Sequence, residues 1–180
     1  EMLLYKYPYV EYQPKSHNSC HLYVNEPTII LRFDDIRAFS IPSRFLINEV
    51  IQRNLSATLG VIPYNLDKDS TMILYLRSIK SNENIEIAQH GTYHDETDIT
   101  ITNRSFETGN EIIQSLIGVK PRTYIPPFNE ISNESISLIQ DKFDIVSGKP
   151  NIIKEGEIVE LGYTVSTFNY FENLAVSLDE

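Results

Sequence analysis

Thr28-Ile29-Ile30-Leu31-Arg32-Phe33-Asp34-Asp35 is a short β-branched apolar run closed by two carboxylates. Such a run suits a strand buried on both faces, as strands of parallel sheets are. The residues on its C-terminal side alternate in period. Pro42 and Ser43 precede Phe45, Leu46, Val50 and Ile51 at helical spacing, which predicts a helix over about residues 44–54. Residues 57–63 read as a strand, 70–80 as a helix, and 85–89 as a strand that ends at His90. After a long loop, Ser105 is the expected N-cap of a helix carrying Ile112, Ile113, Leu116 and Ile117, which Gly118 terminates. Thr123–Ile125 is a strand stopped by Pro126 and Pro127, residues 133–142 a helix, and 143–146 a further strand. Weaker β-like runs lie at 158–161 and 163–168. Strands alternating with helices predict an α/β fold around a parallel sheet, open or closed as a barrel.

The chain has 180 residues, 41% hydrophobic and 22% charged, enough for one domain with a real core. Residues 1–27, rich in tyrosine and without a sustained period, are expected to be an irregular or edge segment leading into a domain over 28–180. No run approaches the ~18 apolar residues of a membrane span, and Glu1-Met2-Leu3-Leu4-Tyr5-Lys6 has no signal-peptide pattern, although a signal already removed is compatible with it. A net charge of -10 without clustered Lys or Arg argues against nucleic acid as main partner. A neutral or cationic ligand fits better. The single cysteine, Cys20, excludes a disulfide within these residues.

Residues just past the carboxyl ends of parallel strands face a shared cleft. Asp34 and Asp35 follow one predicted strand, His90 another, and Pro126-Pro127-Phe128-Asn129 a third, so three loops are expected on one rim. His90 and His94 are four apart. If Gly91-Thr92-Tyr93 makes a helical turn, the imidazoles share a face with Cβ atoms roughly 5–6 Å apart. One Asp and two His meet the three-ligand count of a catalytic zinc site, which keeps a position open for water. The second carboxylate is then left for proton transfer, and the set suggests a metal-assisted hydrolase. The same ligands form the facial triad of non-haem iron oxygenases, a chemistry in which the adjacent acid has no obvious job. His17, Cys20 and His21 read more simply as a polar segment than as a second metal cluster, because a fourth ligand is missing.

In order and spacing, Phe33-Asp34-Asp35, His90-Gly91-Thr92-Tyr93-His94 and Pro126-Pro127-Phe128 resemble the polysaccharide deacetylase family with the NodB homology domain. The resemblance spans about residues 28–148 and is nearest to a divergent branch with a Pro-Pro-Phe/Trp-Asn loop. It implies a distorted (β/α) barrel of about seven parallel strands. It also implies Asp35, His90 and His94 as ligands of zinc or a similar divalent ion, with Asp34 as general base. The implied reaction is hydrolysis of an N- or O-acetyl group on a carbohydrate. In that reaction a bound metal would lower the pKa of its water towards ~7 and polarise the acetyl carbonyl, and Asp34 would take the proton. Phe128 in the Pro126-Pro127-Phe128-Asn129 loop would supply a backbone N–H to the oxyanion. An extracellular or cell-envelope setting is implied as well.

Two departures stand out. Ile125 occupies the position where many members carry an arginine that orients the base, and the nearest arginine on that segment is Arg122. The family's late histidine acid has no counterpart, since no histidine follows His94. Either that motif lies beyond Glu180, or another group donates the proton, or the chain is a catalytically silent carbohydrate-binding relative that keeps the metal site.

Overall fold

The computed structural model describes residues 31–95, 98, 103–139 and 142–148, with the backbone of 159–162, 168–169 and 174–175. The expected irregular segment over 1–27, its His17, Cys20 and His21, and residues 28–30 lie outside the described residues. The chain runs β1 (Leu31–Ile36), α1 (Ile41–Gln52), β2 (Ala57–Val61), α2 (Ser70–Ile79), β3 (Ile85–His90), α3 (Asn103–Ile117), β4 (Thr123–Ile125), α4 (Asn133–Ile139), β5 (Ile145–Gly148), β6 (Val159–Gly162), β7 (Phe168–Asn169) and β8 (Leu174–Ala175). Short 3₁₀ turns at Leu66–Lys68 and Pro127–Asn129 follow β2 and β4.

Local chemistry moves several boundaries. Helix α1 starts at Ile41 rather than near 44, because the Ser40 hydroxyl accepts from the Ser43 N–H at 3.2 Å and Pro42 sits in the first turn, where its missing N–H costs no bond. Helix α3 begins at Asn103, so Ser105 lies inside it and is not its N-cap. The Ser105 carbonyl instead accepts from Thr92 Oγ1 at 2.7 Å, tying α3 to the loop after β3. Gly118 ends α3 as expected, with a left-handed φ of +81 and its N–H on Gln114 O at 2.9 Å. Helix α4 is described over Asn133–Ile139 and Lys142 is already in a turn, while the strand expected over 143–146 lies two residues later in β5.

Strands β1 to β6 form one parallel sheet in chain order, and each of the first four connections carries a helix. That is the α/β architecture read from the alternation. Six parallel strands of the expected seven or so are described, with β7 and β8 as a separate antiparallel pair. The sheet curls. Arg32 on β1 hydrogen-bonds Ser147 on β5, four places away in strand order, so the first and fifth strands face one interior.

Two apolar clusters fix this frame. In the larger, Leu59 and Val61 of β2 and Ile87 of β3 pack under Ile47, Met72, Leu76, Ile113 and Ile117 of the helices, all at most 3% exposed. The smaller joins Phe106 of α3, Tyr124 of β4 and Phe143, with the Phe106 and Tyr124 rings edge-on at 4.9 Å. Every residue of β4 is buried, Ile125 among them.

Candidate metal centre

Strand β1 does not stop before its carboxylates; it runs through them. Its pairing with β2 is regular to Phe33 and resumes at Ile36, and the break falls on the two acids. A regular pleat would send Asp34 and Asp35 to opposite faces. Asp35 instead takes a left-handed φ of 61, which re-aims its side chain at the rim. Its Oδ1 lies 3.0 Å from His94 Nε2 and 3.8 Å from His90 Nε2. One donor atom from each of the three residues lies within 4.8 Å of the others.

His90 closes β3, buried to 3% exposure. Its Nδ1 is 2.9 Å from Ile125 O, and a carbonyl only accepts, so Nδ1 carries the proton and Nε2 turns its lone pair towards Asp35. Burial holds this imidazole below its usual range, against the opposing pull of the Asp34 charge. The neutral form so favoured is the one that ligates metal. For metal–ligand bonds of about 2.0–2.2 Å, a tetrahedral centre separates its donors by about 3.4 Å. The two observed separations, 3.0 and 3.8 Å, bracket that value. One carboxylate and two imidazoles with an oriented tautomer fit a divalent ion of zinc size.

His94 reaches the centre by a different route from the expected helical turn. Gly91 and His94 both adopt left-handed φ, 62 and 59. Between them the chain bends around Asp98, a carboxylate only 1% exposed. Asp98 accepts from the consecutive N–H groups of Thr92, Tyr93 and His94 at 2.5 to 3.1 Å. Three converging N–H groups make a nest for an anionic oxygen. A Cβ on Gly91 would lie 2.5 Å from Pro127 and 2.6 Å from the Asp98 carboxylate, so no other residue fits there.

Asp34 stays off this ligand set. Its Oδ2 accepts from Arg32 Nη2 at 2.8 Å, while Oδ1 is buried and has no hydrogen-bond partner among the described residues. Oδ1 sits over Gly60 of β2, where an added Cβ would come 3.2 Å from it and 3.3 Å from His90 Cβ. Arg32 also donates to Asn129 Oδ1 at 2.7 Å and, through Nη1, to Ser147 Oγ at 3.0 Å. One guanidinium thus joins β1, β5 and the loop after β4. That loop, Pro126-Pro127-Phe128-Asn129, folds into a 3₁₀ turn with left-handed Phe128 and Asn129, and the Phe128 ring lies 5.1 Å from the His94 ring. Of the six left-handed non-glycine residues described, Asp35, His94, Phe128 and Asn129 belong to this site. Strain of this kind concentrates where a geometry is imposed by function.

This architecture is similar to that of a polysaccharide deacetylase from Bacillus cereus, with a TM-score of 0.59 at 16% identity over 74% of this chain and 45% of that one. It also matches a deacetylase solved with substrate, with a TM-score of 0.52 at 25% identity over 66% and 57% of the two chains. The fold is that of the polysaccharide deacetylases. A family 4 acetyl xylan esterase from Clostridium thermocellum, solved with a cobalt ion, shares it with a TM-score of 0.52 at 18% identity over 74% and 73%. The chain spans about half, 44 to 57%, of the length of three such deacetylase structures. No protein-family model and no curated protein matches it.

Within the polysaccharide deacetylase fold, two residues were not singled out from the sequence. Arg32, rather than Arg122, is the cation on Asp34; Arg122 pairs with Asp144 at 2.5 Å. The signal was present, since residues two apart on a strand share a face. Asp98 left no local signal, because its role depends on a loop folding back over it. A lysine at position 32 keeps the charge but cannot fork across three acceptors. Arg32→Lys is expected to lower kcat about a hundredfold, the cost of a small misplacement of a reacting group, with KM and metal content unchanged. Wild-type kcat in that variant would show that Arg32 does not aim Asp34.

Proposed function

We propose that the protein is a metal-dependent hydrolase that removes N- or O-acetyl groups from a carbohydrate, with zinc as the preferred ion. The observation that carries this reading is the convergence of Asp35, His90 and His94 beside a separate, arginine-held carboxylate, Asp34. The structural neighbours, named as deacetylases and an acetyl esterase, support the same chemistry.

A divalent ion held by the three ligands supplies an activated water and polarises the acyl carbonyl. The chain's own residues do the rest. Asp34, whose carboxylate Arg32 holds in place, receives the water's proton. His90 keeps its Nε2 available through the bond to Ile125 O. Phe128 offers its backbone N–H to the developing oxyanion from a turn that Pro126 and Pro127 stiffen.

The test is acetate release from N-acetylglucosamine oligomers and from acetylated xylan, by protein stripped with a chelator and then reloaded with zinc. Release from at least one substrate is expected only after reloading. Zinc-loaded protein that frees no acetate from either overturns the reading.

A further inference from the structure

One nitrogen of Arg32 faces two acceptors at once. Its Nη2 donates to Asp34 Oδ2 at 2.8 Å and to Asn129 Oδ1 at 2.7 Å. A guanidinium Nη carries two hydrogens, so each partner takes one of them. Nη1 turns instead to β5, where Ser147 offers Oγ at 3.0 Å and its carbonyl at 3.3 Å. The Arg32 side chain is only 16% exposed, so water competes little for these bonds. Arginine can only donate, and Asn129 therefore presents its amide oxygen here and not its nitrogen.

Asn129 has no part in the chemistry above, yet it directly follows the oxyanion donor. Phe128 and Asn129 are both left-handed, with φ of 57 and 55, and the Asn129 N–H closes the turn on Pro126 O at 3.1 Å. Asparagine is one of the few side chains that this backbone accommodates at low cost, and glycine is another. Glycine lacks the oxygen that reaches Arg32. Turn formation alone thus leaves the asparagine amide unexplained.

We infer that Asn129 is a positioning residue: by taking one hydrogen of Arg32 Nη2 it aims the other at Asp34, and it locks the base to the turn that carries the Phe128 N–H. The inference rests on the hydrolase reading of the metal centre. Base and oxyanion donor act on one carbonyl group, the first through the attacking water and the second at its oxygen, so their separation must be held. Strands β2 and β3 lie between β1, which carries Asp34, and β4, which leads into the turn. The shared guanidinium spans that gap.

The experiment measures acetate release by zinc-loaded wild type, Asn129→Gly, Asn129→Asp, Arg32→Lys and the Asn129→Gly/Arg32→Lys double variant, with zinc content and melting alongside. Asn129→Gly keeps the left-handed turn and loses the acceptor. Its kcat should fall at least about tenfold, within the hundredfold that misplacing a reacting group costs, while KM and zinc content hold. Asn129→Asp returns an oxygen to the same place and should recover most of that loss. The double variant should turn over as slowly as Arg32→Lys alone, because residues that act as one unit do not add. A glycine that merely loosened the turn would multiply its effect onto that of the lysine. Wild-type kcat in Asn129→Gly, no recovery in Asn129→Asp, or losses that multiply in the double variant would each overturn the inference and leave the hydrolase standing. Wild type that frees no acetate removes the hydrolase and this role with it.

Discussion

Asp35→Asn should abolish stoichiometric zinc binding while leaving the fold intact. Its side chain is 45% exposed, so little packing is lost. Asparagine tolerates the left-handed backbone that position 35 adopts, so no new strain enters, as it would with alanine. What disappears is the carboxylate charge that stands 3.0 Å from His94 and 3.8 Å from His90. Changes in partners that merely orient ligands cost about 10- to 100-fold in metal affinity. Loss of a ligand's charge should cost more, at least about a hundredfold, and acetate release should fall with it. Metal analysis after dialysis, with melting of the metal-free proteins alongside, reads the result. An Asp35→Asn protein that keeps wild-type zinc affinity would remove Asp35 from the centre.

Asp34→Asn should give the opposite split, in which zinc stays and turnover goes. Asparagine still offers an oxygen to Arg32 Nη2, so the bond to β1's own arginine survives and the loop around Asn129 keeps its anchor. The amide cannot take a proton. General-base catalysis contributes about 10²- to 10⁴-fold, so kcat for acetate release should fall by about a thousandfold at unchanged metal content. A variant that retains turnover, or that sheds its zinc, would show that the two aspartates do not divide base and ligand in this way. Measured together, the two variants place each acid in its role by opposite readouts.

The strand and helix alternation was legible because β1 to β5 and α1 to α4 are each built from local apolar periodicity, which survives in any context. The candidate site residues were legible for a related reason: Asp35, His90 and the Pro126 to Asn129 loop all sit where parallel strands deliver them to one rim. Less of their local backbone could be read. The expected helical turn from His90 to His94 is a loop with two left-handed residues, because three N–H groups are drawn onto Asp98 instead of onto preceding carbonyls. Ser105 carried a cap signal but spends its carbonyl on Thr92 Oγ1 inside α3. Arg32 bonds Asn129 and Ser147, 97 and 115 residues away, and such partners follow only from the curl of the sheet.

The grip of Asp98 on the histidine loop decides when the cost of ordering that loop is incurred. Fixing one residue's backbone costs about 1–2 kcal/mol of conformational entropy. Thr92, Tyr93 and His94 lose theirs when the chain folds around a buried carboxylate, and not when an ion arrives. Binding of the proposed ion at this centre would therefore be uncoupled from loop folding. The proposed ion would enter a cradle whose backbone is already set by Asp98.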